Sequence, residues 1–156
     1  IRGNVQTRLR KLDEGLYSAT ILAAAGLKRL GLEERISRYF SVEEMLPAAG
    51  QGILAVQGRA GEDYSWLSDY QDEDAKDAAL AERGFVKRLD GGCTSPVAAY
   101  ARIQGEKLIL TGLYYSESKK IYRKKTVTGD RKLASEMGIK LADDLKKETE
   151  GCVIGE

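Results

Sequence analysis

Three predicted strands follow one another closely toward the end of this chain. They cover residues 97–103, 107–115 and 120–128. Gln104, Gly105 and Glu106 supply a turn between the first two, and residues 116–119 supply one between the second and third. Connections this short join antiparallel strands, since a parallel pair needs a crossover of a dozen or more residues. The spacing therefore predicts a three-stranded antiparallel sheet.

Helical segments precede and follow these strands. Asp72 or Asp74 is predicted to cap a helix that ends at residues 90–92, with apolar residues mainly at helical spacing. Residues 130–147 form a second amphipathic helix, whose apolar face is predicted to carry Leu133, Met137, Leu141 and Leu145. We expect residues 71–156 to form an α+β domain in which helices pack on the three-stranded sheet.

The first part of the chain has a different order. Thr7 is predicted to cap a short helix that Gly15 closes, and residues 19–25 form an apolar run typical of a strand buried on both faces. Gly26 then begins another helical turn. Helix, strand, helix is the order of an α/β lobe, here predicted over residues 1–45. Residues 42–46 and 53–56 are predicted to be short extended runs on either side of a turn-rich stretch at 47–52, and 63–70 a short helix. Residues 46–70 are predicted to connect lobes.

Composition excludes several classes of function. The 25 Lys and Arg nearly balance the 24 Asp and Glu, so the chain lacks the net positive field of a nucleic-acid-binding protein. Histidine is absent, which removes the commonest general base and zinc ligand, and the two cysteines form no CxxC spacing. Because the two cysteines suggest no disulfide framework, we expect a protein of the reducing cytoplasm, and no apolar run reaches the length of a membrane span. Because the chain opens on Ile1 rather than Met, we expect a fragment.

Three groups of residues are candidates for chemistry. Cys93 follows two glycines between a helix and a strand, where a bulky group can be attached, although a lone cysteine is more often buried and structural. Arg2 and Arg8 flank a helix start and are either a carboxylate site or solvated side chains, and the same two readings apply to Lys28 and Arg29. The small-residue loop at 48–52, with Gln51 as its functional side chain, is either an anion-binding loop or a hinge.

Five motifs, taken together and in order, resemble the porphobilinogen deaminase family. They are Arg2-Gly3-Asn4 with Thr7-Arg8-Leu9; residues 21–32 (ILAAAGLKRLGL); Leu46-Pro47-Ala48 with Gly50-Gln51-Gly52; Ala81-Glu82-Arg83; and residues 89–96 (LDGGCTSP). The family joins four porphobilinogen molecules into hydroxymethylbilane with loss of ammonia. The resemblance implies a dipyrromethane cofactor attached covalently to Cys93 and contacted by Arg2, Arg8 and Gly52. It also implies that Arg2, Arg29 and Gln51 contact porphobilinogen or the growing polypyrrole.

The resemblance further implies an arrangement of domains. Residues 1–45 would be the second part of domain 2, which is similar to periplasmic binding proteins; residues 46–70 would cross toward domain 1, and residues 71–156 would be domain 3 with the cofactor cysteine. The family's proton-handling aspartate would lie in a missing N-terminal half, so no catalytic residue is assigned here and the fragment alone is expected to be inactive. The full enzyme is expected to be monomeric, without metal, nucleic-acid or membrane partners.

Two other functions are consistent with parts of the sequence. A non-enzymatic anion- or solute-binding module would use Arg2 and Arg8 but would leave Cys93 without a role. A structural domain would simply dock a partner through its sheet and helices. Only the deaminase predicts a covalent dipyrrole on one thiol of the full-length protein.

Overall fold

The structure, a computed structural model, describes residues 1–90 and 96–151. Its backbone divides into two compact units, Ile1–Ser41 and Val42–Glu156. The two units are described separately below. In the first, α1 (Val5–Asp13) and α2 (Ala24–Arg29) are followed by a 3-10 helix at Glu33–Arg35.

The cap of α1 lies three residues before the predicted one. Asn4 has an extended backbone, and its side-chain oxygen accepts a hydrogen bond from the Thr7 amide at 2.8 Å. Asparagine is among the strongest N-cap residues because its carbonyl satisfies an amide that has no partner within the helix. The prediction of Thr7 as the cap was therefore wrong, although the helix was predicted correctly.

The buried strand predicted at residues 19–25 is absent. Residues 19–23 have no regular structure, α2 already begins at Ala24, and Ile21 is 63% exposed. A strand buried on both faces needs neighbouring strands for its backbone hydrogen bonds. The described part of this unit contains no second strand, so an apolar run alone does not become one.

The segment from Val42 to the next helix is also less regular than predicted. Residues 42–44 form a turn rather than an extended run, and residues 53–59 have no regular structure. The predicted helix at 63–70 is a 3-10 helix over Ser65–Tyr70.

The second unit contains the predicted α+β domain. Helix α3 (Glu73–Arg88) is capped by Asp72, whose carboxylate accepts from the Ala75 amide at 3.0 Å. Strands β1 (Val97–Gln104), β2 (Lys107–Ser116) and β3 (Ile121–Asp130) form an antiparallel sheet in the order β1-β2-β3. A 3-10 helix at Arg131–Leu133 leads into α4 (Ala134–Glu150). The three-stranded antiparallel sheet packed by helices is confirmed.

The core of this unit lies between the sheet and its two long helices. Its largest apolar side chains are fully buried: Phe85 on α3, Leu108 and Leu110 on β2, and Leu141 and Leu145 on α4. The predicted apolar face of α4 was one turn too long, because Leu133 precedes the α-helix and is 53% exposed.

Candidate functional site

Arg2 and Arg8 lie on either side of Gly3, at the start of α1. Arg8 donates from Nε to the Gly3 carbonyl at 2.8 Å, and the Lys11 ammonium donates to the Arg2 carbonyl at 3.3 Å. Gly3 has a φ of +122°, and a Cβ there would lie 2.7 Å from Thr7 Cγ2. The bend at Gly3 therefore needs glycine, both for its backbone conformation and for space.

Some basic side chains of the first unit pair with an acidic side chain, and others have no such partner among the described residues. Lys28 pairs with Glu33 at 3.1 Å and Arg35 pairs with Asp13 at 2.5 Å. Lys28 also lies 5.4 Å from the centre of the Tyr39 ring. These contacts raise the pKa of Lys28, chiefly through its hydrogen bond to Glu33.

The three arginines predicted to bind carboxylates are among the basic residues without a described acidic partner. Within residues 1–90 and 96–151, no acidic side chain pairs with Arg2, Arg8 or Arg29. Arg2 and Arg29 are also exposed. A guanidinium group has five N–H donors, so even Arg8, whose Nε donates to Gly3, keeps donors that could bind an external carboxylate.

In the turn that contains Gln51, at residues 48–53, three of the six amides donate within the chain. The Gln51 amide donates to the Ala48 carbonyl at 3.1 Å, and the Ile53 amide donates to the Gly50 carbonyl at 3.2 Å. Gly50 and Gly52 adopt φ values of +76° and +84°, which only glycine adopts readily. The Gly50 amide donates to Glu82, so the amides of Gly50 and Gln51, both within the predicted loop at 48–52, are not available to an anion. The interpretation of this loop as an amide-lined anion site was wrong for those two amides, and the other interpretation, a hinge, stays a prediction.

The Gly50 amide donates to Glu82 of α3, a residue to which the sequence assigned no role. The carboxylate accepts from Gly50 N at 2.6 Å and from Ala101 N at 2.7 Å, and the residue is only 4% exposed. Burial raises the pKa of Glu82, and the two amide hydrogen bonds partly offset that rise. A signal was present, because Glu82 stands beside Ala78, Ala81 and Phe85 on the buried face of the helix.

Both cysteines lie outside the described residues. Of the chain around Cys93, the structure describes the end of α3 at Arg88 and the start of β1 at Val97, and the role of Cys93 stays a prediction. Gly52, the third predicted cofactor contact, is exposed at the end of the Gln51 turn.

Among residues 1–90 and 96–151, no three Cys, Asp or Glu side chains are grouped to hold a metal ion. No helix in this part of the chain combines the length and apolar content needed to cross a membrane.

Comparison with known proteins gives one consistent family. Residues 1–66 match the family model described as "Porphobilinogen deaminase, dipyromethane cofactor binding domain", and residues 76–147 match "Porphobilinogen deaminase, C-terminal domain". The two matches follow each other along the chain and leave few residues unmatched.

Individual relatives agree with the family models. The porphobilinogen deaminase of Alkaliphilus oremlandii is 59% identical over 150 residues, which are 96% of this chain and 50% of that protein. The enzyme of Acetivibrio thermocellus is 58% identical over 147 residues, and that of Ruminiclostridium josui is 56% identical over 146; each match covers 94% of this chain and 50% of the relative. The chain thus spans about half the length of the curated relatives it matches. By these matches, the chain belongs to the porphobilinogen deaminase family.

Proposed function

We propose that this chain is the C-terminal part of a hydroxymethylbilane synthase, a transferase that joins four porphobilinogen molecules head to tail. At each coupling, the bond between the aminomethyl carbon and nitrogen of the substrate breaks and a carbon–carbon bond forms to the neighbouring pyrrole. That pyrrole carbon loses a proton, and the amino group takes up a proton and leaves as ammonia. The observation that carries the proposal is the pair of family matches, at residues 1–66 and 76–147.

A dipyrromethane cofactor fits the residues present. Its two pyrroles bear acetate and propionate side chains, so its site needs several cationic donors. Arg2 and Arg8 are suitable, since neither pairs with an acidic side chain in the described part of the chain. When bound, the cofactor supplies the pyrrole carbon to which the first substrate is joined. We assign its covalent attachment to the Cys93 thiol on the basis of the family motif at residues 89–96.

Substrate contacts are proposed for other residues of the same motifs. Arg29 ends α2 with its guanidinium exposed, and we propose that it binds a carboxylate of porphobilinogen together with Arg2. The Gln51 amide donates to the Ala48 carbonyl, so we propose that Gln51 acts through its side chain. Gly52 has no side chain, and no other atom lies within 4 Å of the position that a Cβ would take. We propose that the cofactor uses this open space.

We propose the family's domain arrangement for the full-length protein. Residues 1–45 complete a lobe similar to periplasmic binding proteins, residues 46–70 cross toward the first domain, and residues 71–156 form the third. Several large apolar side chains of the crossover segment are exposed, with Leu54 at 86% and Tyr70 at 81%. Exposed apolar groups of this kind are suited to contact the N-terminal half, which would also carry the proton-handling aspartate. The complete enzyme is proposed to be a cytoplasmic monomer.

The test uses the full-length protein and the two cysteines found in this chain, Cys93 and Cys152. Cys93→Ser is expected to abolish both covalent attachment of the dipyrrole and consumption of porphobilinogen. Cys152→Ser is the matched control, because Cys152 is the other cysteine of this chain and lies outside the proposed site. This variant is expected to retain both the attached dipyrrole and the consumption of porphobilinogen. Intact-mass spectrometry and substrate consumption are measured on the same preparations. A dipyrrole on Cys152, or active enzyme without any attached dipyrrole, would contradict the assignment.

A further inference from the structure

Glu82 links two backbone segments that are distant in the sequence. One carboxylate oxygen accepts from the Gly50 amide at 2.6 Å, and the other accepts from the Ala101 amide at 2.7 Å. Ala101 lies in β1, which among the described residues pairs with β2 alone and so forms an edge of the sheet as described. Edge amides that point away from the sheet need a partner when they are buried, and Glu82 supplies it.

The chemistry of this contact is specific to a carboxylate. A carboxylate offers two accepting oxygens, whereas an amide side chain offers one acceptor and one donor. A glutamine at position 82 would therefore leave one of the two backbone amides facing another donor. No charged side chain shifts the pKa of Glu82, and its only described hydrogen-bond partners are these two amides.

The turn attached in this way has little other regular structure around it. It is followed by residues 53–59, which have no regular structure, and Gln51 and Gly52 within it are exposed. Ala49 packs beside the core of the second unit, next to the point where Glu82 holds Gly50. The polar contact with Glu82 thus fixes the backbone immediately before Gln51.

We infer that Glu82 is a positioning residue that holds the turn at residues 48–53 against β1 and so sets the location of Gln51 and Gly52. The two hydrogen bonds of Glu82 are seen directly in the structure. Their effect on substrate binding rests on the function proposed above. Glu82 itself is not placed in contact with substrate.

The contact is tested by NMR on the ¹⁵N-labelled chain. The amide shifts of Gly50 and Ala101 are expected to titrate with one shared midpoint, because both amides donate to the same carboxylate. Glu82→Gln is expected to remove that titration and to speed exchange of at least one of the two amides about tenfold. Glu136→Gln, at an exposed position on α4, is the control and is expected to change neither amide. Separate midpoints, or a shared midpoint that persists in Glu82→Gln, would overturn the inference.

Kinetics of the full-length protein test whether the Glu82 contact affects substrate binding. Glu82→Gln is expected to raise the KM for porphobilinogen about tenfold, with kcat nearly unchanged and the dipyrrole mass retained. An unchanged KM would show that holding the turn does not position substrate. If the wild-type protein consumes no porphobilinogen, the proposed function fails, while the NMR result still decides whether Glu82 holds the turn. Circular dichroism of each variant distinguishes a local change from misfolding.

Discussion

Gly138 of α4 lies directly against the carbonyl oxygen of Ala81 in α3, with no room for a side chain between them. Nearby, a Cβ added to Gly84 of α3 would lie only 2.7 Å from the Ser135 carbonyl oxygen of α4. Each helix therefore contributes a glycine that lets the backbone of the other approach. This close crossing brings the apolar faces of both helices onto the same sheet.

We expect Gly138→Ala to destabilise the second unit by about 1–2 kcal/mol, because overpacking against a backbone carbonyl outweighs the better helix propensity of alanine. The carbonyl cannot rotate away as a flexible side chain would. Urea unfolding measures the change. Gly26→Ala in α2 is the control, since the nearest atom to its Cβ would be Val5 Cγ2 at 3.7 Å, an ordinary contact. A Gly138→Ala variant as stable as the wild type would show that the helices can separate at little cost.

Arg131 links the start of the last helical segment to α3 through two carboxylates. It contacts Asp77 at 2.7 Å and Asp74 at 2.6 Å, but the Asp77 side chain is 19% exposed and the Asp74 side chain is 62% exposed. We expect Asp77→Asn to lower the urea midpoint more than Asp74→Asn does, because solvent screens the exposed pair more strongly. Added salt should weaken the Asp74 contact first. Equal midpoints for the two variants would contradict this ranking.

The raised pKa of Glu82 makes the stability of the second unit depend on pH. Burial favours the protonated carboxyl in the folded chain, so the folded state retains a proton that the unfolded state loses above its ordinary pKa of 4.5. The stabilising contribution is full below that value and is lost as pH rises through the raised pKa. We expect the free energy of unfolding of the wild type, relative to that of Glu82→Gln, to decrease as pH rises from 4.5 through the raised pKa of Glu82. An increase measured by urea unfolding would mean that the two amide hydrogen bonds outweigh burial.

Arg8 and Arg10 offer a matched comparison on one helix. Arg10 pairs with Glu14 at 3.6 Å on the surface, whereas Arg8 has no acidic partner among the described residues. In the full-length enzyme, we expect Arg8→Leu to weaken substrate or cofactor binding roughly ten- to a hundredfold, as for one lost charge-assisted hydrogen bond. Arg10→Leu should leave kinetics and cofactor content nearly unchanged. Identical kinetics for the two variants would remove Arg8 from the proposed site.

Amide exchange on the chain should separate the two units. The second unit buries a contiguous core that includes Phe85, Leu110 and Leu141, whereas Leu9 and Leu27 are the buried apolar residues described in the first. We expect strong protection in α3, α4 and the sheet, and weak protection at residues 19–25, which have no strand partner. Strong protection at 19–25 in a demonstrated monomer would mean that the first unit is stabilised in another way.

The sequence by itself determined the elements that depend on nearby residues. The short gaps between the predicted strands required an antiparallel sheet, and Asp72 was one of the two predicted caps for α3. Apolar spacing also gave the buried face of α4, apart from Leu133. These features were predictable because turns, caps and amphipathic faces are encoded within one or two turns of chain. The roles of Arg2, Arg8 and Cys93 came instead from family motifs.

Tertiary structure decided what depends on distant partners. The run at residues 19–25 has strand composition, yet whether it forms a strand depends on neighbours that its own sequence does not supply. Glu82 lies on an apolar helix face, but only the fold brings Gly50 and Ala101 to its two oxygens. One of these contacts occupies the Gly50 amide, which appeared available for an anion. A buried polar group takes whichever partner the packed chain brings within hydrogen-bonding distance, and local sequence cannot specify that partner.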